Sequence, residues 1–159
     1  MIKLEYIYCI GNMFSKPADC YVNAVNCIGI QGSGIALDFK KRFPKAYKEY
    51  KDLCDKGLLN LYEGGSLHVD SHGSVNEGKE CYIYQFPTMY RPGEKSSLDT
   101  IKRGMHGLQH IAARKVNRTG LRKVQFDIRA ASCNQRGNDA IKITASKIMC
   151  FHLADLHRK

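Results

Sequence analysis

The sequence has 159 residues, of which 43% are hydrophobic and 25% charged, a balance typical of one soluble globular domain spanning residues 1–159. Its apolar runs are no longer than a strand and its first residues lack the apolar segment of a signal peptide, which argues against a membrane protein and against secretion. The net charge of +10 comes from the last third, because residues 1–100 carry 12 basic and 12 acidic side chains whereas residues 101–159 carry 13 and 3.

The first part of the chain predicts two strands followed by two helices. The β-rich segment KLEYIYCI (3–10) predicts a strand that ends at Gly11 and Asn12, and CYVNAVN (20–26) predicts a second strand. A helix fits from Gly34 to Pro44, because its apolar residues recur on one helical face, and another fits residues 45–57.

The second part continues the alternation. The segments SLHVD (66–70) and ECYIYQF (80–86) predict strands, and periodic apolar residues predict a helix over 97–113 with Ser96 and Asp99 at capping-box spacing. LRKVQFDIRAA (121–131) predicts a further strand, and IMCFHLADLH predicts a last strand or a short helix. Such alternation predicts an α/β fold with a mostly parallel sheet between helices, in which ligands bind at the carboxyl ends of the strands.

The cysteines and histidines predict neither disulfides nor a metal site. Seven cysteines are scattered without a CxxC pair, which favours reduced and mostly buried thiols. His106 and His110 share a helix face, but no acidic residue lies between them, so two surface histidines are favoured over zinc ligands. We therefore expect no metal and no other cofactor. We also expect a monomer without a membrane partner, located in the cytoplasm or, in a eukaryote, in the nucleus.

The stretch VNAVNCIGIQGSGIALDFKKRFP (22–44) contains more asparagine and glycine than a strand–turn–helix corner needs. Its strand ends in Asn26, and Gly29, Gly32 and Gly34 permit positive φ angles and the close approach of a bulky group. The N–H groups of this loop and of the following helix predict an anion site suited to phosphate or pyrophosphate. Neither the P-loop pattern nor GxGxxG fits, and a tight turn without a ligand is the alternative from glycine count alone.

The same stretch resembles the first binding loop of the macrodomain family, V-N-x-V-N-x-x-G-x-x-G-x-G-I-A-x-x-F-K-x-x-F-P. It is most similar to the branch of ADP-ribose-1″-phosphate phosphatases, deacylating ADP-ribose–glutamate hydrolases and DNA ADP-ribosyl glycohydrolases. YIYCIGNMF before it and YQFPTMYRPGEKSSLDTIKRGMHGLQ after it are similar to further segments of that branch, so the resemblance covers residues 4–109. It implies a three-layer α/β/α sandwich with a mixed, mostly parallel central sheet that binds ADP-ribose.

The resemblance implies roles for individual residues. Asn12, with Gly11 and Met13 beside it, would meet the adenine, although Asn12 also suits a turn cap. Asn23 would brace the loop, and Asn26 would contact the distal ribose as a catalytic residue, because an amide both donates and accepts hydrogen bonds. The remaining ligand-binding residues are those of the loop, whose N–H groups would face the diphosphate and distal ribose: Gly29, Gly32, Ser33, Gly34 and Ile35.

Two departures from the family pattern affect the prediction of catalysis. DNA-directed members have FPTK, with a lysine placed to act at the distal ribose, whereas this sequence has FPTM, and the Met89 thioether neither forms a Schiff base nor donates a proton. Residues 132–159 lack the second glycine-rich phosphate loop. Arg136 and Gly137 would hold the diphosphate there instead, and Asp139 would stand at the position of a catalytic acid, with helix capping as the alternative.

Three functions stay open at this point. The first is hydrolysis at the distal ribose of ADP-ribose-1″-phosphate or of an ADP-ribosylated macromolecule. The second is a non-catalytic module that recognises ADP-ribose. The third is a nucleic-acid-directed ADP-ribosyl hydrolase or a basic nucleic-acid binder, which the basic last third favours, with a lysine-rich solvated surface as the alternative.

Overall fold

The computed structural model describes residues 3–10, 12–15, 17–61, 65–70, 78–119, 123–127 and 147–154. The strands are β1 (Lys3–Ile10), β2 (Cys20–Asn26), β3 (Ser66–Asp70), β4 (Cys81–Met89), β5 (Lys123–Asp127) and β6 (Lys147–Ala154). The helices are α1 (Gly34–Arg42), α2 (Pro44–Asp55) and α3 (Leu98–Thr119), with a short 3₁₀ turn at Met13–Ser15.

The described strands form one mixed sheet in the order β1-β6-β5-β2-β4-β3. β2 lies at its centre and is parallel to both β5 and β4. The other three described pairings, β1 with β6, β6 with β5 and β4 with β3, are antiparallel. The sheet is therefore mixed as expected but less parallel than predicted. β3 and β4 are separated by residues 71–80 alone, too few for the helical crossover that parallel neighbours need.

Helices cover both faces of the sheet, which confirms the α/β/α sandwich. On one face, α1 and α2 pack over side chains that include Tyr21 of β2 and Ile83 of β4. On the other face, α3 lies against β4, where a Cβ added to Gly104 would come within 1.6 Å of Phe86 Cε2. Glycine at this position lets the helix backbone rest directly on the aromatic ring.

An aromatic cluster holds α1 in place against the sheet. Phe14 of the 3₁₀ turn makes an edge-on contact with Phe39 of α1 at 5.0 Å between ring centroids, and it lies 5.5 Å from Tyr21. Phe43, which links α1 to α2, is 5.7 Å from Phe39. Because these rings are buried, they fix the axis of α1 and with it the position of the loop that precedes the helix.

Several element ends differ from the sequence-based expectation. β4 continues through Pro87 to Met89, because β2 pairs with it that far along its edge. The N-cap of α3 is Ser97, whose Oγ accepts the Thr100 N–H at 3.0 Å, so the predicted capping box at Ser96 is wrong. The last segment is a strand, β6. Within the described ranges, no helix has both the length and the apolar character needed to cross a membrane.

Candidate functional site

The glycine corner, residues 26–34, begins where the two central parallel strands end. Asn26 pairs in register with Met89 of β4, after a bulge between Val25 and Asn26. One residue later, the Cys27 N–H donates to the Tyr90 carbonyl at 3.0 Å. The position that carries lysine in the DNA-directed branch thus lies beside Asn26, as the ends of two parallel strands require.

The Asn26 side chain holds the first turn of the corner. Its Oδ1 accepts the N–H groups of Ile28 and Ile30, both at 3.1 Å, and its Nδ2 donates to the Ile30 carbonyl at 2.6 Å. The side chain is 6% exposed. Asn26 is therefore first a brace for the loop, and one of its two amide hydrogens has no partner among the described residues.

Tyr50 supports the same turn from α2. Its hydroxyl donates to the Asn26 carbonyl at 2.8 Å and lies 3.1 Å from Asn26 Oδ1. Burial is the main cause that raises the pKa of the Tyr50 phenol far above its ordinary value of 10.0. The phenol consequently stays protonated and remains a hydrogen-bond donor.

Gln31 fastens the middle of the corner to the sheet. Its side chain, 2% exposed, donates from Nε2 to Gln85 Oε1 at 3.3 Å, and Asn23 Nδ2 donates to the same oxygen at 2.9 Å. Asn23 Oδ1 and Gln31 Oε1 are buried and have no partner among the described residues. The three amides form a buried cluster in which Asn23 acts on the loop through Gln85, and two acceptors are left unpaired.

The second half of the corner presents its backbone to the outside. Gly32, Ser33 and Gly34 are exposed, and Ser33 caps α1 without a side-chain hydrogen bond. The first turn of α1 contains no acidic residue. The N–H groups at the start of this helix are therefore available to an anion, and the helix dipole favours a negative charge there.

Two of the three predicted glycine conformations are present. Gly29 has φ +79° and Gly34 has φ +57°. Gly32 does not have a positive φ, so that prediction is wrong, and a Cβ there would touch only Ile30 Cγ2, at 3.8 Å. A Cβ at Gly34 would meet nothing within 4 Å and would point into open space.

The predicted adenine-side residues have local structural roles. Asn12 Oδ1 accepts the Phe14 N–H at 2.9 Å, so Asn12 caps the 3₁₀ turn, and the residue itself is exposed. The Met13 side chain is 2% exposed and belongs to the core, which leaves only its backbone for a ligand. Ile35 is half-buried against the same core. Gly11, Arg136, Gly137 and Asp139 lie outside the described residues.

Three residues that shape the site were not predicted from the sequence: Tyr50, Gln31 and Gln85. Gln85 could have been predicted from the sequence, since it is a polar residue inside the apolar run CYIYQF. Tyr50 lies in the helix predicted over residues 45–57, but its hydrogen bond to Asn26 spans 24 positions and cannot be read from local spacing. Gln31 resembled an ordinary loop residue.

The chemistry around the corner is that of amides and thiols. Burial, then Cys54 and Glu94, raises the pKa of Cys27 to about 11, so the thiol is neutral at physiological pH. Glu94 accepts the Arg91 N–H at 2.9 Å in the loop after β4. The described part of the chain contains no group of three or more histidine, cysteine or acidic side chains that fits a metal ion.

A second chain of polar contacts, centred on the buried His68, lies beside α2 and away from the corner. His68 of β3 contacts Ser66 Oγ through Nε2 at 2.8 Å and Glu49 Oε2 through Nδ1 at 2.6 Å. His68 is 5% exposed. Both ring nitrogens are thereby satisfied, and the chain ties the edge strand to α2.

Comparison with known proteins agrees with this geometry. Residues 22–128 match the sequence profile of the Macro domain. A DNA ADP-ribosyl glycohydrolase of Thermus aquaticus is 32% identical over 98 residues, which cover 62% of this chain and 26% of that protein. An ADP-ribose 1″-phosphate phosphatase of Meyerozyma guilliermondii is 41% identical over 91 residues, which cover 53% of this chain and 51% of the phosphatase. This chain thus spans a quarter to a half of these relatives.

A solved structure has the same fold. The macrodomain of Thermus aquaticus DarG superimposes with a TM-score of 0.60 at 26% identity, over 79% of this chain and 77% of that one. The profile match runs from Val22 of β2 through β5, and it includes the whole glycine corner. This chain therefore belongs to the macrodomain family.

Proposed function

We propose that this chain binds ADP-ribose at the glycine corner and hydrolyses an ADP-ribosyl derivative at its distal ribose. The observation that carries the proposal is the exposed backbone of residues 32–34, which leads directly into the uncapped N-terminus of α1. Free N–H groups and the positive end of a helix dipole together suit a diphosphate. Membership of the macrodomain family and the activities named for two relatives support the same ligand.

The buried bonds beneath the corner support catalysis by positioning. Asn26 and Tyr50 fix the turn, and Gln31 fixes the loop to the sheet, so the backbone donors keep their geometry before the ligand arrives. Donors that are already oriented need no reorganisation when charge develops in the transition state. Holding the distal ribose in one orientation adds a further rate effect.

In the proposed reaction, water adds to C1″ of the distal ribose while the bond from C1″ to the leaving group breaks. The proton of the attacking water ends on the departing atom. The loop amides bind the diphosphate, and the second amide hydrogen of Asn26 orients a ribose hydroxyl. The substrates that fit this scheme are ADP-ribose-1″-phosphate and ADP-ribosylated macromolecules. Asp139 is proposed as the catalytic acid of this hydrolysis.

A module that binds ADP-ribose without turnover is the second candidate, and Met89 favours it. Its side chain stands in register with Asn26, where a group that transfers protons would be useful. A thioether neither donates nor accepts protons at neutral pH. In this reading the corner keeps its binding role and the chain recognises ADP-ribose on another molecule.

Two measurements test the proposal. Thermal unfolding with increasing ADP-ribose is expected to show a rising Tm, since ligand at 100 times Kd stabilises a fold by about 2.7 kcal/mol. Absence of any shift at millimolar ligand contradicts the binding site. Incubation with ADP-ribose-1″-phosphate, ADP-ribosylated protein and ADP-ribosylated DNA is then expected to release product from at least one substrate. Binding without product from any of the three identifies a recognition module instead.

A further inference from the structure

A cavity of about 390 Å³ opens at the other end of α1, where α1 ends and α2 begins. Three basic side chains line it, those of Lys41, Arg42 and Lys45, together with the acidic Asp70. Its apolar lining comes from Phe43, Ala46 and Val69. The volume falls within the range of small-ligand pockets, and the combination of cations with apolar surface is amphipathic. We call this site the basic groove.

The charge around the basic groove is concentrated and mostly positive. Between Lys40 and Lys48 the chain carries five basic residues and no acidic one. Lys40 lies over the Tyr47 ring at 4.3 Å, and the Arg42 guanidinium lies over the Phe14 ring at 4.6 Å. These two cations are oriented by aromatic rings, so they stay near the groove.

Lys41 and Lys45 are the cations of the groove that are free to bind a partner. Both are exposed, and neither forms an ion pair with any described residue. Lysine ammonium groups are mobile point charges that accept an anion from many directions. They suit a flexible chain of phosphates better than one anion in a single fixed orientation.

The position of the groove relates it to the glycine corner. Gly34 begins α1 and Lys41 lies seven residues later, so the two sites are about 10 Å apart along the helix axis. The corner lies at the carboxyl ends of β2 and β4, whereas Asp70 of the groove pairs with Cys81 at the start of β4. A substrate whose ADP-ribosyl group occupies the corner therefore reaches the groove only if it continues as a chain.

We infer that the basic groove binds the phosphates of a DNA strand that carries the ADP-ribosyl group held at the glycine corner. This inference rests on the proposed function and names its substrate class. The cations match a phosphate backbone, and the apolar lining matches a sugar or base. A peptide made of acidic residues alone offers no apolar group that would contact this lining. A relative is named a DNA ADP-ribosyl glycohydrolase, which agrees with this choice of polynucleotide.

The test compares charge reversal in the groove with charge reversal elsewhere. The double variant Lys41→Glu/Lys45→Glu removes the free cations, and Lys102→Glu is the control, an exposed lysine on α3 at the opposite face of the sheet; the loss of DNA binding is compared per reversed charge. Binding of an unmodified fluorescent single-stranded DNA is measured at several salt concentrations. The double variant is expected to bind about tenfold more weakly, with the slope of log K against log salt reduced by about 1.4, as for two lost phosphate contacts.

Three results overturn the inference. They are unchanged DNA binding by the double variant, an equal loss in Lys102→Glu, and displacement of the DNA by polyglutamate at equal charge concentration. Free ADP-ribose is the control ligand, and its affinity is expected to be the same in the double variant as in the wild type. Failure of ADP-ribose to bind the wild type contradicts the proposed function alone, because binding of unmodified DNA tests the groove without it.

Discussion

The two ends of α1, which we propose as two anion sites, differ in the groups that they offer to a ligand. At its N-terminus the glycine corner offers neutral backbone N–H groups, held by buried hydrogen bonds from Asn26 and Gln31. At its C-terminus the basic groove offers Lys41 and Lys45, exposed side chains that no described ion pair holds. One end is rigid and uncharged, and the other is mobile and cationic.

If both sites bind the same substrate, the difference predicts that selectivity comes from one end and salt-dependent affinity from the other. Fixed N–H groups recognise one geometry and depend little on salt, which suits a defined diphosphate. Flexible cations recognise charge density, and their contribution falls steeply with ionic strength. We therefore expect binding of ADP-ribose to be nearly independent of salt and binding of DNA to depend on it strongly.

The largest expected effect is a loss of stability at alkaline pH, and it comes from buried groups at the glycine corner, not from the exposed lysines of the groove. Burial raises the pKa of Cys27 from its ordinary 9.0 to about 11 and also raises the pKa of Tyr50. The unfolded chain therefore loses these protons first, so stability is complete below pH 9 and is lost as pH rises through 11. These two groups together are expected to lower the free energy of unfolding by roughly 3 kcal/mol between pH 8.5 and 11, since each pKa unit is about 1.4 kcal/mol, and the buried Cys20, Cys81 and Tyr21, whose pKa values are also raised, add to the fall.

Urea unfolding at fixed pH values measures this fall. Cys27→Ala removes one of the titrating groups, and we expect its stability to decline less steeply over the same interval. A wild-type stability that stays level from pH 8.5 to 11 would show that these groups are not buried as described.

The next effect is on affinity at the corner. Gly34→Val places a side chain in the open space beside the loop, where the diphosphate is proposed to bind, and forces a β-branched residue to φ +57°. ADP-ribose affinity is expected to fall about 100-fold, equivalent to 2.7 kcal/mol. The Tm is expected to fall modestly, because left-handed backbone costs a non-glycine residue about 1–3 kcal/mol.

Gly78→Val is the matched control for this variant. Gly78 has φ +79° and also has nothing within 4 Å of its added Cβ, but it lies before β4 at the other end of the sheet. It carries the same backbone strain without touching the corner. Calorimetric titration that gives equal affinities for the two variants would show that the diphosphate binds elsewhere.

The brace beneath the corner is expected to contribute a smaller effect, mainly to stability. Asn26→Ala leaves the N–H groups of Ile28 and Ile30 without their acceptor, at a cost of about 2 kcal/mol. Tyr50→Phe removes only the hydroxyl and is expected to cost about 1 kcal/mol. Chemical denaturation measures both, and the double variant is expected to lose less than the sum, because the two groups share one network. Strict additivity would contradict that coupling.

Local pattern was enough to predict much of the fold. The boundaries of β1, β2 and β3 agree with the predicted segments, because each strand is a β-rich run bounded by turn residues. Sheet order and the antiparallel edges could not be predicted, since pairing between distant strands leaves no local periodicity. The extension of β4 through Pro87 has the same origin, because pairing with β2 overrides a residue that ordinarily ends a strand.

The candidate site divides in the same way. Glycine and asparagine in the corner predicted a loop of unusual backbone shape, and Gly29 and Gly34 have the positive φ that this requires. What holds the loop could not be predicted, because the bonds from Tyr50 and Gln85 join residues 24 and 54 positions apart. Asn26 was expected to serve the ligand, and most of its hydrogen-bonding capacity is instead used within the protein.

The smallest expected effect concerns Gln31, and it tests whether the amide cluster adds stability or only geometry. Its hydrogen bond to Gln85 is long, at 3.3 Å, and its Oε1 is buried without a described partner. Removing a poorly satisfied amide while keeping its volume is nearly neutral, so Gln31→Met is expected to change the free energy of unfolding by less than about 1 kcal/mol. Gln31→Ala, which leaves a cavity, is expected to cost about 2 kcal/mol or more. If Gln31→Met keeps stability but weakens ADP-ribose binding, the amide orients the loop. Equal losses of stability in both variants would instead make Gln31 a structural part of the core.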